Sequence, residues 1–202
     1  MKTRILLLGL AMVFTVGAAG VQAQNSDSHL KFKGIPLDGS MDNMVSQLET
    51  KGFKQLIKYD ANNTIMIGDF AGYKNCQIFV VSNAYDNVKQ VAINFSDDER
   101  DWYLLFSQYS NLKNMLTTKY GTPYSSVERF NCTYQPQTDT DKMYYARRGD
   151  CEYESLWVFH EGSIKLIISH LRVKYSDYCY VTLIYLDKQN HEADNNSAID
   201  DL

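Results

Sequence analysis

SDDERDWYLLFSQYSNLKNMLTTKYGTP, residues 96–123, is the stretch on which the fold turns. Trp102, Leu105, Tyr109, Leu112 and Leu116 recur at three- and four-residue steps, the period of one buried helix face. Ser96 and Glu99 have the spacing of a capping box, and Asp97, Asp98 and Glu99 crowd the end where the helix dipole is positive. Gly121 and Pro123 then stop the run. The spacing predicts a helix over 97–120 whose apolar face is broad enough to need a sheet beneath it.

Upstream, the loop GIPLDGS (34–40) turns the chain after a short alternating stretch at Leu30–Lys33. Ser40 can cap a shorter amphipathic helix through Met41, Met44, Val45 and Leu48, and Gly52 ends it. Strands are expected at 53–59, 64–70, 76–82 and 88–95, parted by the turn formers Asp60–Asn63, Gly72 and Asp86–Asn87. Downstream, strands are expected at 124–133, 143–149, 153–160, 163–171 and 178–186, with the polar insert Gln135–Asp141 in the first hairpin. A helix followed by an antiparallel meander therefore occurs twice, at about 30–95 and 96–186. The class this implies is α+β, with the helices packed on one face of the sheet. The residues from 187 to 202 are polar and acidic and read as a mobile tail into which only Ile199 and Leu202 bring docking surface.

Side-chain alternation divides the strands into two faces. With Glu161-Gly162 as a tight turn, Trp157, Phe159, Ile164, Leu166 and Ile168 point together toward the helix, as do Ile78, Val80, Val91, Ile93 and Phe95 in the first unit. The opposite face then carries Phe79, Val81, Leu156, Val158 and Ile167 among polar neighbours such as Lys165. Fully solvated sheet faces do not need these apolar residues. These six residues are the candidate partner surface, unless loops, the tail or the other unit cover them.

Residues 1–23 have the three parts of a secretory signal: Lys2 and Arg4, an apolar run from Ile5, and the small residues Val21 and Ala23 before a cut near Gln24. The run is short for a spanning helix and is interrupted by Gly9, Gly17 and Gly20, and no later segment is apolar enough to cross a bilayer. The stretch 24–186 reads as one exported domain, periplasmic or secreted. A formal net charge of -4 argues against a nucleic-acid partner. Fifteen tyrosines against two tryptophans suit half-buried, wet sheet surfaces and interfaces. Four cysteines in an oxidising compartment are free to pair, and Cys132 and Cys151, flanking a polar hairpin-like stretch, are the expected bridge; Cys76 and Cys179 are either bonded or buried.

The stretches FKGIPLDGS (32–40), GDFAGYKNCQIFV (68–80), YSNLKNMLTTKYGTP (109–123) and LIYLDKQN (183–190) resemble a group of uncharacterised secreted proteins of anaerobic gut bacteria. The likeness spans the chain after its leader and rests on turns, a helix face and strand ends. In element order, the chain is similar to the helix-plus-meander repeats of the β-lactamase inhibitor protein and of small outer-membrane assembly proteins. That likeness implies protein binding without catalysis.

The chemistry-bearing residues form no catalytic signature. His160-Glu161-Gly162-Ser163-Ile164 begins like a zinc-protease motif but ends in isoleucine and sits at a turn, roughly 23 Å along the next strand from His170. His29 and His191 fall in terminal segments expected to be loose. No GxSxG elbow or phosphate loop is present, and Asp97–Asp101 reads as a helix start. Asp139/Asp141 and Asp60/Asn62/Thr64 lack the glycine and distal glutamate of a calcium loop and read as turns. The sequence implies no metal and no cofactor. The leading expectation is a non-catalytic binding module for a protein partner. The alternatives are a small hydrolase with a dispersed active site and a small-ligand or sugar binder.

Overall fold

A computed structural model of the chain describes residues 29–95, 98–174 and 176–193. The leader expected at 1–23, Ser96, Asp97 and the end of the tail from 194 lie outside these residues. The chain is an α+β protein built on one antiparallel sheet.

Unit one opens with a two-stranded ribbon, β1 (Lys31–Phe32) and β2 (Ile35–Pro36), followed by helix α1 (Met41–Thr50). The Ser40 hydroxyl accepts from the Asn43 amide at its start, and Met41, Met44, Val45 and Leu48 are all buried, as their spacing predicts. A meander follows: β3 (Lys54–Lys58), β4 (Asn63–Phe70), β5 (Tyr73–Ser82) and β6 (Val88–Asn94). Unit two repeats the plan with helix α2 (Trp102–Tyr120) and strands β7 (Ser125–Phe130), β8 (Cys151–Val158), β9 (Gly162–Val173) and β10 (Ser176–Asp187). The strand order is β3-β4-β5-β6-β10-β9-β8-β7, so the last strand of each unit is central and the first lies at an edge.

All five apolar positions of α2 are buried, and each such side chain contributes roughly 1.5–3 kcal/mol. Trp102 packs within 5.1 Å of the Phe130 ring and 5.3 Å of Tyr153. Tyr109 buries its ring but satisfies its hydroxyl on Ser155, 2.9 Å away, and burial pushes that phenol up to about 12. The inner face beneath the helices carries Ile78, Ile93, Leu183 and Leu166 in cross-strand register.

Four expectations are corrected. Helix α2 starts at Trp102, capped by the Asp101 carboxylate on the Leu104 amide, and residues 98–101 precede it. Glu99 instead accepts from the Arg100 and Asp101 amides. Asp98 is drawn away to Arg147 at 2.9 Å and to the Cys179 amide, contacts that a local reading of the acidic run does not reveal.

The segment expected as a strand at 143–149 belongs to a third helix, α3 (Asp139–Arg147). Thr138 accepts from the Asp141 amide, and only Met143 and Ala146 are buried, so the apolar signal was too thin to show its period. This helix fills the β7–β8 connection and packs against α2 and β10.

The expected Cys132–Cys151 disulfide is not formed; all four cysteines are free. Cys151 pairs in register with Phe130, and the chain leaves the sheet just after it, where the Asn131 amide donates to Asp150. Cys132 therefore sits in the loop, its thiol 3.0 Å from the Tyr134 carbonyl, while Cys151 faces the interior and burial pushes its thiol up to about 12.

The polar stretch after β10 also begins in an ordered state. Asp187 is fully buried and accepts from the Leu30 amide (2.9 Å), the Asn190 amide (2.9 Å) and His29 Nδ1 (3.2 Å). Residues 188–193 are helical, and Asn190 donates to the carbonyls of Leu37 and Val88. His29, expected in a loose terminus, is thereby held against the end of the sheet.

Candidate functional site

All side chains of α1, α2 and α3 that are buried meet the inner face, which leaves the outer face of the sheet as the candidate site. Pairing places its residues in rows. One row runs Ile57, Ile65, Phe79, Ala92, Ile184, Lys165, Leu156 across seven strands, about 29 Å at strand spacing. Beside it run Ile67, Gln77, Asn94, Thr182, Ile167, Glu154 and, on the other side, Val81, Gln90, Leu186, Ser163, Val158. The structure thus brings all six sequence-predicted residues onto one continuous surface. Phe79, Val81, Leu156, Lys165 and Ile167 are half-buried and Val158 is 54% exposed, so the other unit does not cover them.

The alternation rule placed these side chains correctly even though the turn did not fall as expected. Val158 pairs with Ser163 around His160-Glu161, two residues from the register that Glu161-Gly162 implies. An even slip leaves every side chain on its face. Ile57, Ile65, Ala92 and Ile184 were missed. Their signal was available in the same alternation, carried from Phe79 two strands to one side, one to the other, and into the run Leu183–Leu186.

Two cations of this face are paired with carboxylates. Lys165 Nζ lies 2.7 Å from Glu154, and Arg129 lies 2.7 Å from Glu152. Lys165 therefore contributes its aliphatic stem to the apolar row more than a free charge. Its polar centre is also self-satisfied, since Thr182 is bonded to both Asn94 and Ser169 at 2.9 and 2.8 Å. At one end the face is concave: Leu156, Val158, Ser163 and Leu186, with Lys188 and His191 of the helical segment, enclose a cavity of about 360 Å³.

The other sequence candidates are dispersed. His160 is exposed at its turn, whereas His170 lies on the inner side, 3.5 Å from Asp177. Asp139 and Asp141 form the first turn of α3, and Asp60 accepts from the Asn62 amide within its own turn. Among the described residues no group of three or more His, Cys, Asp or Glu is placed to hold a metal ion, and no helix is long and apolar enough to cross a membrane.

Compared with known proteins, the chain matches no family model, no curated protein sequence and no solved structure.

Proposed function

We propose that this is an exported, non-catalytic binding module that takes a protein partner on the outer face of its sheet. The observation that carries the reading is the apolar row from Ile57 to Leu156, which α1, α2 and α3 leave uncovered and in which the one cation, Lys165, is already paired. Three rows of about 29, 24 and 19 Å, each about 7 Å wide, give a footprint of roughly 500 Å², somewhat under the ~800 Å² per partner of a standard interface. The cavity beside Leu156 and Val158 would receive one anchoring side chain, the arrangement that concentrates binding energy in a few contacts. The partner's matching surface is a largely apolar strip, since Lys165 and Arg129 are already paired with Glu154 and Glu152 on the module. The leader-like segment at 1–23 and the likeness in element order to the β-lactamase inhibitor protein support the same reading.

The test is site-specific photo-crosslinking in the producing cells and their medium, from positions 79 and 167 and, as control, from Tyr103, which is 66% exposed on the opposite side. Positions 79 and 167 are expected to capture the same discrete partner, and Tyr103 is not. Phe79→Asp with Ile167→Asp should abolish that adduct from a probe at position 81 while shifting the thermal midpoint little, because both residues are half-buried on an open face. An unfolded double variant would assign the face to the core, and capture unaffected by it would refute the proposal.

A further inference from the structure

A second concave site opens on the inner side of the sheet and shares only Phe159 with the cavity just described. The N-terminal segment at His29–Gly34, the end of α2, the β8–β9 turn and the β4–β5 turn surround a cavity of about 450 Å³, within the range of small-molecule sites. We propose that this cavity binds a small organic anion with an aromatic or alicyclic body.

Its walls are ring-rich. Phe70, Tyr120, Phe159 and Tyr185 line it, with Tyr120 edge-on to Phe159 at 5.4 Å and Tyr185 edge-on to Phe32 at 5.3 Å. Burial, with the Tyr120 hydroxyl beside it, pushes the Tyr185 phenol far above its ordinary value, so the floor stays uncharged at physiological pH.

The rim has the opposite character. Lys33 and Lys119 stand on it, Glu161 is the one carboxylate among the described lining residues, and His29 is tied to Asp187. The pocket is thus locally basic in a chain of formal net charge -4. Lys33 and Lys119 have no carboxylate within ion-pair distance among the described residues. Each is held over rings instead, Lys33 at 5.6 and 5.8 Å from Phe53 and Phe70 and Lys119 at 4.8 Å from Tyr120. Ammonium groups fixed on aromatic faces keep their charge and lose little freedom when an anion arrives. A bare inorganic anion would leave the rings unused, and a neutral apolar ligand would leave the ammonium groups without a counter-charge. Both halves of the lining are satisfied together by a carboxylate or sulfonate on an apolar body.

The probes are 8-anilinonaphthalene-1-sulfonate and its uncharged relative N-phenyl-1-naphthylamine, titrated by fluorescence and calorimetry into protein made from the full sequence. The sulfonate should saturate one site and bind more tightly than the neutral compound. Lys33→Glu with Lys119→Glu should weaken the sulfonate about tenfold or more and the neutral compound less than about twofold, with the fold verified by circular dichroism. If the double variant does not fold, the wild-type salt dependence decides: sulfonate binding should fall severalfold from low to about 0.5 M salt while the neutral compound holds. Phe79→Asp with Ile167→Asp should leave both probes unaffected, which separates this site from the outer face. No saturable sulfonate binding, equal affinity for the two probes, or loss of binding in the outer-face variant would overturn the proposal.

Discussion

Removing the carboxylate of Asp187 should be among the most damaging single changes in the protein. Its two oxygens are fully buried and take the amides of Leu30 and Asn190 at 2.9 Å each, besides His29 at 3.2 Å. Asp187→Ala leaves the Leu30 amide buried without an acceptor, a loss of about 1–3 kcal/mol, and uncaps the helical segment, a further ~1 kcal/mol or more. The expected total is about 2–5 kcal/mol, or a fall of about 10 °C in Tm for a domain of this size. His29→Ala removes a partly exposed ring at 3.2 Å and leaves both amide contacts in place, so it should cost clearly less than Asp187→Ala. Urea unfolding followed by circular dichroism measures both, and hydrogen exchange at Leu30 and Asn190 locates the loss. Equal losses for the two variants would show that the His29 contact, and not the pair of amides, holds the node. An Asp187→Ala loss under about 1 kcal/mol would refute the reasoning altogether.

Two further outcomes rest on local geometry. A Cβ on Gly162, at φ +156, would run into the Leu186 carbonyl oxygen, so Gly162→Ala should cost about 3 kcal/mol or more in urea unfolding; Gly72, at φ +85 with open space around it, should lose only about 1–2 kcal/mol to alanine. Burial pushes the Asp98 carboxyl up, but the Cys179 amide, Arg100 and Arg147 outweigh it and hold it below the ordinary value. A depressed folded pKa contributes stability that is present above the unfolded value of 3.8 and is lost as pH falls through the folded one, so stability should drop below about pH 4 and Asp98→Asn should flatten that drop while lowering stability at pH 7.

Periodicity made most of the architecture legible. The five-residue stripe of α2 and the alternation in β5, β6, β8 and β9 gave both helices and both faces, because those signals repeat over many residues and average out local exceptions. Helix α3 did not average out: MYYA looks like a strand, and its helical signs were only Thr138 three residues before Asp141, and Gly149 after the end. The start of α2 and the anchoring of His29 failed for a different reason. Each depends on a partner far along the chain, Arg147 for Asp98 and Asp187 for His29, and no local pattern encodes such a pairing. The candidate outer face was half visible, since alternation names the residues of one strand but only register lines up Phe79 with Ala92 and Ile184.

The seam at the middle of the sheet sets β6 against β10 in antiparallel register, Ile93 opposite Leu183. Two corresponding strands paired in this way are what a two-fold axis through their midpoint produces, so the chain is arranged as an internal dimer of its halves. A fragment ending at Phe95 would keep α1 and its meander but present β6 as an open, apolar edge, and the β6 of a second fragment is the self-complementary cover for it. In the intact chain, the short link from Phe95 to Asp101 keeps the matching half at a high effective concentration, which closes the seam within one molecule before another copy can reach it.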